Sequence, residues 1–245
     1  MKKITLVAGL FCAMTGGVFA AGTVDVHREG EAKMLTLTNA EHLADLVAQP
    51  RLAGSWWRGA VIAEQQATTV AEKQHQALLT ALSRAAMESS GSDAAAINAL
   101  RQQLQAINVT GRQFVSLDPD EVRIGEGKNP PLQGKYSLWV GNEPSTITLF
   151  GLINRPGKVA FTPGRDVASY LKEVDRLSGG ERSYAWVIYP DGRTLKAPIA
   201  YWNRRHIEPM PGSIVFVGFA DSLWTKKYDE LNVAILRSLS QRIPD

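Results

Sequence analysis

The chain has 245 residues, 44% of them hydrophobic, with 27 lysines and arginines against 24 aspartates and glutamates. That size and apolar content suit one large domain or two small ones. A net charge of +3 is too small for the basic field that a nucleic-acid surface needs, so nucleic acid is excluded as a partner.

Residues 1–20 carry the pattern of a signal peptide. Lys2 and Lys3 form a basic start, Ile4 to Phe19 are apolar or small, and Val18-Phe19-Ala20 offers small residues to a peptidase. Cleavage is expected between Ala20 and Ala21. The apolar run is too short for a transmembrane anchor. Cys12, the one cysteine, lies in mid-run behind Leu10 and Phe11 and not in a lipoprotein box. The exported chain is therefore expected to be unlipidated and free of disulfide or thiolate chemistry.

Thr23 to Val26 and Met34 to Leu37 alternate as strands around Gly30, which predicts a hairpin. Asn39 is a candidate N-cap for a short helix through Val47, ended by Pro50. From Trp56 to Met87 there is no proline, and Ala67, Ala71, Leu78, Leu82 and Ala85 recur at helical spacing. Ser89 to Asp93 breaks the pattern, after which Ile97, Leu100, Leu104 and Ile107 form a second stripe. The pair predicts a helical hairpin, about 56–107, inserted in a β-rich domain spanning 21–141. Strand patterns resume at Ile107 to Val115 and at Tyr136 to Val140.

Residues 141–145 read as a linker, and a second unit spans 146–219. Ile147 to Leu149 and Lys158 to Phe161 are strands around an Arg155-Pro156-Gly157 turn, and Asp166 is placed to cap a helix through Leu171. Ala185 to Tyr189 and Thr194 to Ala197 flank a Pro190-Asp191-Gly192 turn, and Ser213 to Val217 closes the unit. A faint repeat lays 110–122 on 150–167, with Gly111 on Gly151, Val115 on Val159 and Pro119 on Pro163. The tail, 221–243, predicts a helix with Trp224, Tyr228, Leu231, Ile235 and Leu239 on one face. Lys226, Asp229, Glu230 and Arg237 make it too charged to cross a bilayer. A helix docked on its own chain, in a monomer, is expected; lining an oligomeric assembly is the alternative.

No catalytic residue, metal site or cofactor is expected. His27, His42, His75 and His206 share no ligand spacing. Asp118-Pro119-Asp120-Glu121 reads as an acidic turn and helix cap, since a calcium loop needs more oxygen ligands and a glycine. There is no nucleophile elbow or phosphate loop, and Ser178-Gly179-Gly180 reads as a helix C-cap. Trp139 and Trp186 fall within strand patterns and are expected in the core, while Trp56 and Trp57 begin the helical insertion. Tyr201 to His206 is a polar-aromatic cluster in a loop or short helix. A solvated connector is the favoured reading of it; the other makes Trp202, Arg204 and Arg205 candidates for binding an anionic glycan or a partner. Arg112, following Gly111, is expected to face a domain surface, with a guanidinium fork suited to carboxylates and sugar hydroxyls. An ion pair with Asp118 or Asp120 is the favoured reading for it, and ligand binding the other.

QQLQAINVTGRQFVSLDPDEVRI (102–124), NPPLQGKYSLW (129–139), ITLFGLI (147–153) and WNRRHIEPMPGS (202–213) resemble the GfcC (YmcB) family of periplasmic proteins of group 4 capsule assembly. The likeness runs through the tail KYDELNVAILRSLSQRIPD. It implies an α+β fold of two β-grasp domains similar to those of the polysaccharide exporter Wza. The first would carry the inserted hairpin, and an amphipathic helix would end the chain. The second unit resembles the soluble-ligand-binding β-grasp type, with Ile153 where valine is usual. The resemblance implies a non-enzymatic periplasmic accessory protein for capsule or exopolysaccharide assembly and export. Its partner would be capsule polysaccharide or another export protein, and Arg112 gains weight as a pocket residue. Two alternatives stand beside it: a polysaccharide-modifying enzyme using Arg112 and Asp118 to Glu121, and an export pore assembled through the tail helix.

Overall fold

The computed structural model describes residues 22–31, 33–125, 127–220 and 227–244. The signal segment with Ala20 and Ala21, and Lys226 and Trp224 of the tail, lie outside the described residues.

The first domain begins with the antiparallel hairpin of β1 (Gly22–Arg28) and β2 (Leu35–Ala40), followed by α1 (Leu43–Val47). Later come β3 (Val61–Glu64), α4 (Pro119–Ile124) and β4 (Lys135–Val140), with the inserted helical hairpin between β3 and α4. The sheet order is β2-β1-β4-β3, and β1 runs parallel to β4 at the centre. First and last strands side by side and parallel are the mark of a β-grasp. In β1, Val24 and Val26 are buried against Leu43 and Leu46 of α1, Val122 of α4 and Leu138 of β4. Trp139, expected in this core, is half-buried and stacks on His27, with ring centroids 5.1 Å apart.

The first helix does not start at Asn39, which instead takes φ 67° at the end of β2, a left-handed turn that asparagine tolerates. The helix starts after His42, whose N–H donates to Asp45 Oδ2 at 2.9 Å. Asn129 Oδ1 accepts from Ala44 N–H at 2.8 Å.

The second sheet contains β5 (Thr146–Gly151), β6 (Gly157–Ala160), β7 (Tyr184–Ile188), β8 (Thr194–Pro198) and β9 (Ile214–Val217). Its order is β6-β5-β9-β7-β8, with β5 parallel to β9. This repeats the first connectivity with one extra edge strand. Both faces are covered, which is why the last strand is apolar throughout, as Ile-Val-Phe-Val. Ile147, Leu149, Val187 and Val215 face α5 (Val167–Tyr170) through Val167, Tyr170 and Leu171. Phe150, Leu152, Ile188, Ile214 and Phe216 point the other way.

That other face is where the inserted hairpin goes. Helices α2 (Gln65–Met87) and α3 (Gly91–Gln105) pack Leu78, Leu82, Ile97, Leu100 and Leu104 on the second sheet, beside Leu231, Ile235 and Leu239 of α6 (Lys227–Ser240). A hairpin encoded within the first domain thus builds the roof of the second. Of the expected 56–107 insertion, 65–87 and 91–105 are helical, because Val61–Glu64 forms β3. The expected tail stripe is buried at Leu231, Ile235 and Leu239, and Tyr228 stacks on Phe219 at 4.7 Å. The helix ends at Ser240 and not at 243, because Thr110 N–H donates to Gln241 O and Ile243 N–H to Asn108 O, both at 2.8 Å.

Three other expectations are corrected. Ile107 to Val115 forms only isolated bridges, Val109 to Arg242 and Ala63 to Arg112. Gly111 lies so close to the Ala67–Thr68 backbone that no side chain would fit, and its N–H donates to Thr68 Oγ1 at 3.0 Å. The chain there crosses the start of α2, and that contact overrides its β-propensity. The repeat is real as two matching folds, but β1 corresponds to β5 and β4 to β9, so 110–122 is not the counterpart of 150–167. Ser178 to Gly180 caps no helix, since α5 ends at Tyr170; Ser178 Oγ donates to the Asp93 carboxylate at the start of α3.

Candidate functional site

Arg112 is buried at 7% exposure, not directed at a domain surface. Its Nη2 donates to Pro190 O at 2.7 Å and its Nη1 reaches Ser240 O at 3.5 Å. The guanidinium lies 5.8 Å from the centre of the Phe114 ring. A Cβ on Gly192 would come within 3.2 Å of its Cζ, so the β7–β8 turn fits around it. Neither expected ion pair is present. Asp118 caps α4 by accepting from Asp120 N–H at 2.9 Å, and Asp120 reaches Arg123 at 3.9 Å. Desolvation lowers the Arg112 pKa to about 10, partly offset by the charge of Asp191. It stays charged at neutral pH and joins the post-hairpin crossing, the β7–β8 turn and the end of α6.

The Tyr201 to His206 segment is at the surface. Tyr201 is 99% and Trp202 76% exposed. Arg204 lies against α5: its Nε donates to Asp166 Oδ2 at 3.0 Å, and its Nη2 to Asp166 Oδ1 at 2.9 Å and to Ser169 Oγ at 3.0 Å. Asp166, 4% exposed, is also the α5 N-cap that the sequence predicts, accepting from Ser169 N–H at 3.0 Å. Burial pushes its carboxyl up, but hydrogen bonds from Ser169 and Arg204 outweigh this and hold it below the usual carboxylate range. Arg205 is exposed, and His206 Nε2 pairs with Glu208 Oε1 at 2.8 Å.

Of the four candidates, Trp202, Arg204 and Arg205 share this surface, while Arg112 lies apart at the buried junction. Beside Arg204 and Tyr201 opens a cleft of about 500 Å³ that also takes in Lys172, Arg176 and Arg182. Sequence reasoning missed these three. They are scattered across a loop with ordinary charge density, and only the packing of α5 against the β8 side gathers them. Among the described residues no three His, Cys, Asp or Glu side chains group as metal ligands. No described helix is long and apolar enough to cross a membrane.

Two β-grasp domains, the second roofed by a three-helix layer and carrying an aromatic and basic surface, define a class of paired β-grasp proteins. The family descriptions "Capsule biosynthesis GfcC, N-terminal" and "Capsule biosynthesis GfcC C-terminal" match residues 20–143 and 155–244. The chain belongs to the GfcC capsule biosynthesis family. It is 64% identical over 244 residues to the Escherichia coli (strain K12) protein named "Uncharacterized protein YjbG", with 100% of each chain covered. Membership of that family points to a role in capsule assembly.

Proposed function

We propose that this is a non-enzymatic periplasmic accessory protein of capsule or exopolysaccharide assembly and export, which binds glycan on its second β-grasp domain. The observation that carries the reading is the fully exposed Tyr201 ring next to Arg204, which Asp166 and Ser169 hold in a fixed orientation. An amphipathic ring beside a fixed guanidinium offers a sugar an apolar platform and directional donors. The enzyme alternative has little support. Asp118 is used as a helix cap, Glu121 pairs with Lys128 at 3.0 Å, and Arg112 is bonded to the Pro190 carbonyl. The pore alternative would need the tail face, and Leu231, Ile235 and Leu239 are buried in the same chain. A monomer with a docked helix suits this reading.

Calorimetric titration with the organism's own surface polysaccharide fragments tests it. Wild-type protein is expected to bind and the Trp202→Ala, Tyr201→Ala double variant to bind weakly. Absence of binding by the wild type, with normal surface polysaccharide in a strain lacking the gene, would remove the reading.

A further inference from the structure

Lys172, Arg176, Arg182 and Arg204 converge on the cleft of about 500 Å³ beside α5, together with Ser169, Leu171, Ile199 and the Tyr201 ring. No carboxylate lines it. Asp166 neutralises Arg204 from beneath. Among the described residues, no ion pair holds Lys172 or Arg182.

Two of the four cations are pre-positioned. Arg176 donates from Nε to Glu181 O at 3.2 Å and from Nη1 to Val174 O at 2.9 Å. Arg204 uses Nε and Nη2 on Asp166 and Ser169. One terminal nitrogen of each, Nη2 of Arg176 and Nη1 of Arg204, is outside these bonds. A guanidinium whose rotamer is already fixed loses less entropy when it engages a ligand. Arg176 and Arg182 also repel each other. Desolvation lowers the pKa of Arg176 and the like charge of Arg182 lowers it further, against smaller opposing contributions from Asp175 and Glu181. An anion entering the cleft would relieve that repulsion.

The shape argues for a sugar. The volume falls within the range of small-ligand sites, Leu171 and Ile199 give it an apolar wall, and the exposed Tyr201 ring stands at its edge. An exposed tyrosine ring gives a sugar ring a face to lie on, whereas a bare phosphate has no use for it.

Resting on the glycan-binding reading, we propose that this cleft is a subsite for carboxylated sugar units of an acidic polysaccharide. Tyr201 supports the ring and Lys172, Arg176 and Arg182 receive the carboxylate. The site selects acidic over neutral glycans.

The test uses the full chain and three probes: galacturonate oligomers of about four to six units, maltohexaose as a neutral sugar, and poly-L-glutamate as an acidic polymer without sugar rings. Galacturonate is expected to bind, to weaken roughly tenfold between about 50 and 300 mM salt, and to outcompete both controls. Lys172→Gln with Arg182→Gln, both on exposed side chains, is expected to lower affinity about tenfold or more without changing the melting temperature. Tyr201→Ala is expected to weaken galacturonate and leave poly-L-glutamate unaffected. Undiminished binding by the double variant, equal binding of maltohexaose, or poly-L-glutamate binding as tightly as galacturonate would each overturn the subsite. So would no galacturonate binding at all. Failure of the wider reading looks different. If the double variant restores surface polysaccharide fully in a strain lacking the gene, the cleft inference falls and the capsule role stands. Normal polysaccharide in the strain lacking the gene removes the role itself.

Discussion

Gln103 and Gly151 exchange two hydrogen bonds. The Gln103 amide donates to Gly151 O at 2.9 Å and accepts from Gly151 N–H at 2.8 Å. The side chain of α3 thereby imitates a neighbouring strand at the end of β5. Asn232 of α6 does the same one strand over, accepting from Phe219 N–H and donating to Phe219 O, both at 2.9 Å. Since β5 and β9 are parallel neighbours, with Gly151 opposite Val217, two helical amides close the ends of the two central strands. Apolar packing alone would let the helices slide; the paired amides fix their register.

Gln103→Leu keeps the bulk and removes both bonds, leaving the Gly151 backbone groups unpaired. A loss of about 1–3 kcal/mol is expected, seen as a lower urea midpoint with an unchanged slope. Gln103→Glu keeps an acceptor for Gly151 N–H but no donor, and is expected to fall between. Equal stability of all three proteins would show that the clasp contributes nothing.

His75 ties α2 to the tail helix: its Nδ1 lies 2.7 Å from Ser238 Oγ. Desolvation lowers its pKa below the ordinary histidine value, against a smaller opposing contribution from the Leu104 backbone. The unfolded chain then binds the proton more readily than the folded one. Stability from this site is full above the unfolded value, about 6.5, and falls as pH drops below it, levelling off only beneath the folded value. Melting temperature from pH 8 to pH 5 should therefore decline, and His75→Gln should flatten the part of that decline lying below about 6.5. An unchanged profile in the variant would assign the acid sensitivity elsewhere.

Most elements were legible because their signals are local. The stripes of Leu78, Leu82, Leu100 and Leu104 predict two helices, and the alternation of Val24 and Val26 predicts a strand. The destination of the hairpin was not legible: nothing in its stripe says that the apolar face meets Phe216, more than a hundred residues on, rather than the domain encoding it. Ile107 to Val115 misled for a related reason, since a strand-like pattern yields to the fit of Gly111 on α2. The pairing of Arg112 with Pro190 O spans 78 residues and uses a carbonyl, which carries no side-chain signature. At the surface, Trp202, Arg204 and Arg205 stood out as neighbours in sequence. Lys172, Arg176 and Arg182 become neighbours only in space.

Arg112 ties its own segment to two others through the carbonyls of Pro190 and Ser240, so its removal should loosen the junction. Arg112→Met retains much of the packing of the stem but leaves Pro190 O without its donor, and a loss of about 1–3 kcal/mol is expected. Arg112→Lys keeps the charge on a narrower head that cannot span both carbonyls, and should recover part of it. Hydrogen exchange is the sharper readout. Amides of the β7–β8 turn and of residues 241–243 should exchange faster together in the methionine variant. Faster exchange confined to one of them would argue against a shared junction.

Asp166 holds both the start of α5 and the segment bearing Tyr201 and Trp202. Asp166→Asn keeps one acceptor for the cap but loses the charge that pairs with Arg204. A cost of about 1–2 kcal/mol is expected, discounted because the Arg204 end of the pair is half exposed to solvent. The wild-type carboxyl is held below the usual range, so its contribution is full above the unfolded value of about 3.9 and lost as pH falls through the folded one. Released from Asp166, Arg204 and Arg205 become better trypsin substrates, and cleavage after them should accelerate in Asp166→Asn. Glycan affinity should fall along with that protection, because the Tyr201 platform and the Arg204 donors depend on the same anchor. If cleavage accelerates and affinity does not change, the segment is held by Asp166 for stability and sugar recognition lies elsewhere on the domain.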